Sequence, residues 1–63
     1  MNTGDEICFW HFGNKTYGKV IKIYKELMGV DSGEEMVVIL LHDHNRTLFD
    51  SEIRLRKRDI YLV

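Results

Sequence analysis

Three groups of side chains in this sequence have types and spacings that could do chemistry. The first is His42-Asp43-His44, with His11 elsewhere. In an extended strand His42 and His44 would face the same way, and two imidazoles at i and i+2 can share a metal ion. Asp43-His44-Asn45-Arg46, however, reads as a hairpin turn, because Asp and Asn bond their own backbone and tolerate turn conformations. A turn separates the two imidazoles, so the cluster is taken as solvated and no metal is expected. Cys8 sits in an aromatic-rich stretch, where a free Cys is a small apolar filler. Ser32 and Ser51 lie in no nucleophile motif, and no glycine-rich phosphate loop is present. The expectation is a protein without catalytic residues or cofactor, and not an enzyme.

The second group is aromatic. Phe9, Trp10, Phe12, Tyr17, Tyr24, Phe49 and Tyr61 are too many for the core of a 63-residue chain. Strand residues alternate in facing, so Trp10 and Phe12 share a side opposite Ile7, Phe9 and His11. With Ile7 and Phe9 inward, Trp10 and Phe12 remain near the surface beside Tyr17. They serve there as protein-binding anchors, unless Trp10 or Phe12 instead plugs one end of the core. The third group is Arg54-Leu55-Arg56-Lys57-Arg58, in which Arg54, Arg56 and Arg58 would project together from a strand. Such a patch suits phosphates or an acidic protein. A pI near 6.3 and the flanking Asp50, Glu52 and Asp59 point equally to a face neutralised by its neighbours.

Composition bounds what can hold these groups in place. The chain is 44% hydrophobic and 30% charged, with a net charge of −1, no Pro and one Cys. That length allows one domain, residues 1–63, and excludes cofactor-binding enzyme folds. Ordinary apolar content with little net charge excludes disorder. A lone cysteine without zinc-ligand spacing favours a reducing, cytoplasmic setting. The polar start Met1-Asn2-Thr3-Gly4-Asp5-Glu6 is unlike a signal peptide, and the apolar run Met36 to Leu41 is far too short to span a membrane. The chain reads as a complete small gene product.

Strand signals dominate. Residues 6–12 are aromatic-rich and end at a Gly13-Asn14 turn. Residues 18–25 are rich in β-branched side chains and read as a strand. Val20, Ile23, Tyr24, Leu27 and Met28 nevertheless follow an amphipathic-helix stripe, with Thr16 and Gly29 as its ends. A helical turn at Glu26 to Met28 is compatible with either reading. Val30 to Glu34 is a polar loop. Glu35 to His42 is the near-continuous apolar run of a central strand, either covered on both sides or at a barrel crossing. After the 43–46 turn, Thr47-Leu48-Phe49 leads onward, Ile53 to Arg56 alternates apolar and basic, and Asp59 to Val63 closes the fold. This makes five or six short strands. Charge is arranged in blocks: Lys15, Lys19, Lys22 and Lys25 without an acid, then Glu26, Asp31, Glu34 and Glu35 without a base. Opposite charges on adjacent strands would attract across the ladder; a bipolar surface for a charged partner is the alternative.

The order of these pieces resembles the SH3-like small barrels, in particular the Tudor-like and KOW-like group. Gly4-Asp5-Glu6-Ile7 is similar to their entry into strand one. Gly13 with Tyr17-Gly18-Lys19-Val20 is similar to their turn into strand two. Glu35 to Leu41 with Phe49, then Ser51 to Leu55 and Asp59-Ile60, are similar to the remaining strands and the short helical turn. The resemblance implies an all-β, five-stranded barrel, with a short helical turn, and marks Trp10, Tyr17 and Phe49 as partner-binding aromatics. The expectation is a stand-alone interaction module, monomeric or homodimeric. It would be an accessory subunit or a small inhibitor of a larger complex, as small phage-type proteins are. Its site would be Trp10, Phe12, Tyr17, Phe49, Arg54, Arg56 and Arg58. Single-stranded DNA or RNA on the same aromatics, with the lysines of residues 15–25, is the alternative.

Overall fold

A computed structural model describes residues 1–42 and 52–63. The expected 43–46 turn, the segment Thr47 to Phe49, and His44 and Ser51 lie outside the described residues. Those described form one antiparallel sheet: β1 (Glu6–His11), β2 (Asn14–Lys25), β3 (Glu35–Leu41), β4 (Glu52–Arg56) and β5 (Tyr61–Leu62). The strand order is β4-β3-β2-β1-β5, so the last strand lies beside the first. A 3₁₀ turn, Lys57–Asp59, precedes β5. The contest over residues 18–25 is resolved as strand. No helical turn forms at Glu26 to Met28, where the Glu26 N–H and carbonyl bond back across the loop to Glu34 and Gly33. The closing strand is also shorter than expected, because Asp59 is in the 3₁₀ turn and Ile60 caps it.

The β1–β2 turn is displaced by one residue from its expected position. His11 pairs with Asn14, so the two turn residues are Phe12 and Gly13, and Asn14 already belongs to β2. Both have positive φ, 51° and 78°, the pattern of the type I′ turn that matches strand twist. Gly accepts this conformation freely. A Phe there carries a left-handed penalty of about 1–2 kcal/mol, offset in part by its ring contact with His11 at 4.4 Å between centroids. Phe12→Asn, which restores the favoured Asn-Gly pair, should therefore raise stability by about 0.5–1 kcal/mol. For a domain of this size that is a rise of roughly 2–8 °C in melting temperature. A fall instead would show that the ring contact outweighs the backbone penalty.

β2 is the organising strand. Its first half pairs with β1 and its second half with β3. Val20 faces Ile39 and Lys22 faces Val38, so Ile21 is an extra residue, a β-bulge. The N-terminal segment bonds to β2 at the same level: the Gly4 N–H donates to the Val20 carbonyl at 2.7 Å, and the Val20 N–H to the Asp5 carbonyl at 2.9 Å. Because strand side chains alternate, the bulge resets the phase. Gly18, Val20 and Ile23 face inward, while Lys19, Lys22 and Tyr24 face outward.

The inner face carries the core. Phe9, Val20, Val37 and Ile39 are fully enclosed, Leu41 and Ile60 nearly so, and Met1, Ile7, Ile23, Ile53 and Leu55 pack around them. Phe9 and Ile7 do point inward. Met36 is buried on the opposite face, between its register partners Tyr24 and Arg56. β3 is therefore covered on both sides at that end, as its apolar run requires.

Candidate functional site: the outer face of the sheet

Register places every outward side chain. Trp10 is flanked by Lys15 on β2 and Tyr61 on β5, and Tyr17 stands opposite Cys8 one step along. Trp10, Tyr17 and Tyr61 are 45, 55 and 64% exposed. Neither Trp10 nor Phe12 plugs the core. Phe12, 91% exposed, sits at the hairpin tip rather than on the strand face beside Trp10. It nevertheless shares with Lys15 and Tyr17 a depression of about 410 Å³ at that end of the sheet, together with His11, Thr16 and His42. Phe49 lies outside the described residues. Tyr61 is the aromatic that sequence reasoning left out of the site. The signal for it was topological: only the pairing of the last strand with the first brings it beside Trp10.

The expected arginine row does not hold together. Arg54 and Arg56 share the outer face of β4, but β4 ends at Arg56 and Arg58 belongs to the 3₁₀ turn. Arg56 donates from Nε to Asp59 Oδ2 at 2.7 Å and approaches Asp31 Oδ1 at 3.8 Å. The hydrogen bond that Arg56 donates to Asp59, and the charge of Asp59, hold the Arg56 guanidinium above its ordinary pKa, with Asp31 and Glu34 acting in the same direction against partial desolvation. It stays cationic throughout. Lys57 reaches Glu35 Oε1 at 3.4 Å and Arg58 reaches Glu34 Oε1 at 3.2 Å. Asp31, Glu34 and Glu35 of the acidic block thus pair with Arg56, Lys57 and Arg58 of the basic block.

The β2 lysines fare differently from the adjacent-strand expectation. Glu6 stands across from Lys19, and Glu35 across from Lys25. Yet the Glu6 carboxylate accepts a hydrogen bond from His42 Nε2 at 2.7 Å, and Glu35 is taken by Lys57. Among the described residues, Lys15, Lys19, Lys22 and Lys25 have no carboxylate within ion-pair distance, and the same holds for Arg54. Lys22 Nζ lies 5.1 Å from the Tyr24 ring centroid and Arg54 Cζ 6.0 Å, so this ring is approached by two cations.

His42 is held by Glu6 at the end of β3, and His44 lies outside the described residues, so the histidine pair has no shared geometry here. Among the described residues, no three His, Cys, Asp or Glu side chains converge as metal ligands, and no helix is long and apolar enough to cross a membrane. No protein-family model, curated protein or solved structure matches the chain, and the functional reading therefore rests on this geometry.

Proposed function

We propose that the protein is a non-enzymatic interaction module, an SH3-like small barrel that docks a macromolecular partner on the outer face of its sheet. The barrel reading is supported by the strand order, by a long bulged β2 shared between two halves of the sheet, and by the 3₁₀ turn before β5. Five strands and a short turn before the last are what the sequence resemblance implies, although among the described residues β4 and β5 stand at opposite ends of the strand order and do not close the sheet. The observation that carries the functional reading is the row of exposed aromatics, Trp10, Tyr17 and Tyr61, on one face. Large rigid rings left in water are anchors for binding. With its single reduced Cys8, such a module suits the cytoplasm as an accessory subunit or inhibitor within a larger complex.

A protein and a single-stranded nucleic acid both use such rings. The protein reading also calls on Arg54, Arg56 and Arg58 as polar contacts, and among the described residues carboxylates pair with Arg56 and Arg58 but not with Arg54. Trp10 tests the common element. Immobilised and exposed to cell lysate, Trp10→Ala should stay folded and lose roughly 30-fold or more of the captured partner, the penalty of removing a hot-spot anchor. Equal capture by wild type and variant would overturn the reading.

A further inference from the structure

Resting on that outer-face reading, we infer that the partner is a single strand of DNA or RNA laid along β2. The bulge at Ile21 aligns five β2 side chains on one face: Lys15, Tyr17, Lys19, Lys22 and Tyr24. A regular twelve-residue strand would turn Lys22 and Tyr24 to the core side, because they lie an odd number of residues from Lys15, Tyr17 and Lys19. With the extra residue, one face carries Lys-Tyr-Lys-Lys-Tyr along the strand, two rings set among three cations. At about 3.3 Å per residue, the strip from Lys15 to Tyr24 runs for about 30 Å. Trp10 and Tyr61 flank one end of it and Arg54 the other.

Charge identifies the occupant. The protein carries a net charge of −1, yet its described acids are already engaged. Asp31 and Asp59 face Arg56, Glu34 faces Arg58, Glu35 faces Lys57, and Glu6 faces His42. Asp5 accepts from the Asn2 N–H, Glu26 from the Leu27 N–H, and Glu52 is also engaged. Among the described residues, the outer-face cations with no carboxylate partner are Lys15, Lys19, Lys22 and Arg54. Protein–protein interfaces are enriched in Arg and depleted in Lys, whereas lysine ammoniums bind phosphate as point charges. Rings interleaved with such cations match a chain in which a flat base and a charged phosphate repeat together. Bases must be unstacked to reach the rings, which selects single strands over duplexes.

The test is fluorescence anisotropy with labelled oligo(dT) and oligo(U) 12-mers at about 50 mM salt, a length within the range that small β-folds cover. Both should bind. Affinity should fall with salt along a log–log slope of about −3, for four single-strand phosphate contacts. Replacing Lys15, Lys19 and Lys22 together by Gln should flatten that slope to about −1. Lys25→Gln, on the other side of the strand, should leave it unchanged. Trp10→Ala should weaken binding about 5- to 150-fold. Base stacking should also quench the emission of Trp10, the sole tryptophan. No binding of either 12-mer at low salt would overturn the inference, as would equal effects of Lys25→Gln and of each strip lysine. If oligonucleotides fail while nuclease-treated lysate still yields a protein that Trp10→Ala releases, the strip serves a protein and the interaction-module reading survives. If Trp10→Ala alters neither, both fall.

Discussion

Gly18→Ala should lower the melting temperature by roughly 10–20 °C, although it adds one methyl group. The reason is space. Gly18 lies where three strands meet, paired with Ile7 on β1 and with Leu41 on β3. A Cβ built there would stand 2.4 Å from Ile39 Cγ2 and 3.0 Å from the Leu40 carbonyl oxygen. Neither neighbour yields easily. Ile39 is β-branched and fully enclosed in the core, and the Leu40 oxygen belongs to the backbone of β3. Overpacking a filled core costs about 1–3 kcal/mol, and more when backbone must move. Stability for a chain of this length is about 3–9 kcal/mol in all, and each kcal/mol is worth about 4–8 °C. Thermal denaturation followed by circular dichroism measures the change directly. A melting point within about 3 °C of wild type would mean that β2 and β3 can separate at this level.

The all-β class and all five strands were legible in outline because β-branched and aromatic runs announce strands whatever their surroundings. Two features resisted, each for a physical reason. The first is Ile21. Set it aside and β2 alternates cleanly from Gly18 to Tyr24; leave it in, and Val20-Ile21 followed by Ile23-Tyr24 imitates the spacing of a helix stripe. A bulge is one residue that breaks a period of two, and no residue type marks it. The second is the β1–β2 turn. Asn14 has the chemistry of a turn residue, but strand register is decided by which face Ile7 and Phe9 must bury. That puts Phe12 into the positive-φ position.

The candidate site divides along the same line. Trp10 followed from alternation within a single strand, which needs no tertiary information, and Tyr17 from the resemblance; Phe12, placed on the same face by alternation, is at the hairpin tip. Tyr61 required the pairing of β5 with β1, and the common face of Lys15 and Lys22 required the bulge. For the arginines the sequence left a partner contact and a face neutralised by its neighbours both open, because a charge run says nothing about which acids fold back onto it. Here residues 31–35 return beside β4 and the 3₁₀ turn and neutralise Arg56, Lys57 and Arg58. Blocks of opposite charge did attract, but across a loop and a turn rather than along the β2 ladder.

Phe9→Ala and Trp10→Ala, neighbours on β1, should behave oppositely, and the pair tests the assignment of the two faces. Phe9 has no solvent exposure and sits in the cluster with Val20, Val37, Ile39, Leu41 and Ile60. Truncating a buried Phe to Ala costs about 3–5 kcal/mol, against about 3–9 kcal/mol for the whole domain. Phe9→Ala should therefore be largely unfolded at 37 °C, seen as lost amide dispersion in proton NMR. Trp10 is nearly half exposed and touches the core from neither side. Its removal takes away cross-strand contacts with Lys15 and Tyr61, worth about 0.2–1 kcal/mol each. Trp10→Ala should then keep a native spectrum and melt at most about 10 °C lower, while losing the partner. If it unfolds as completely as Phe9→Ala, the outer aromatics form a second core, and the surface row of Trp10, Tyr17 and Tyr61 is not a binding face.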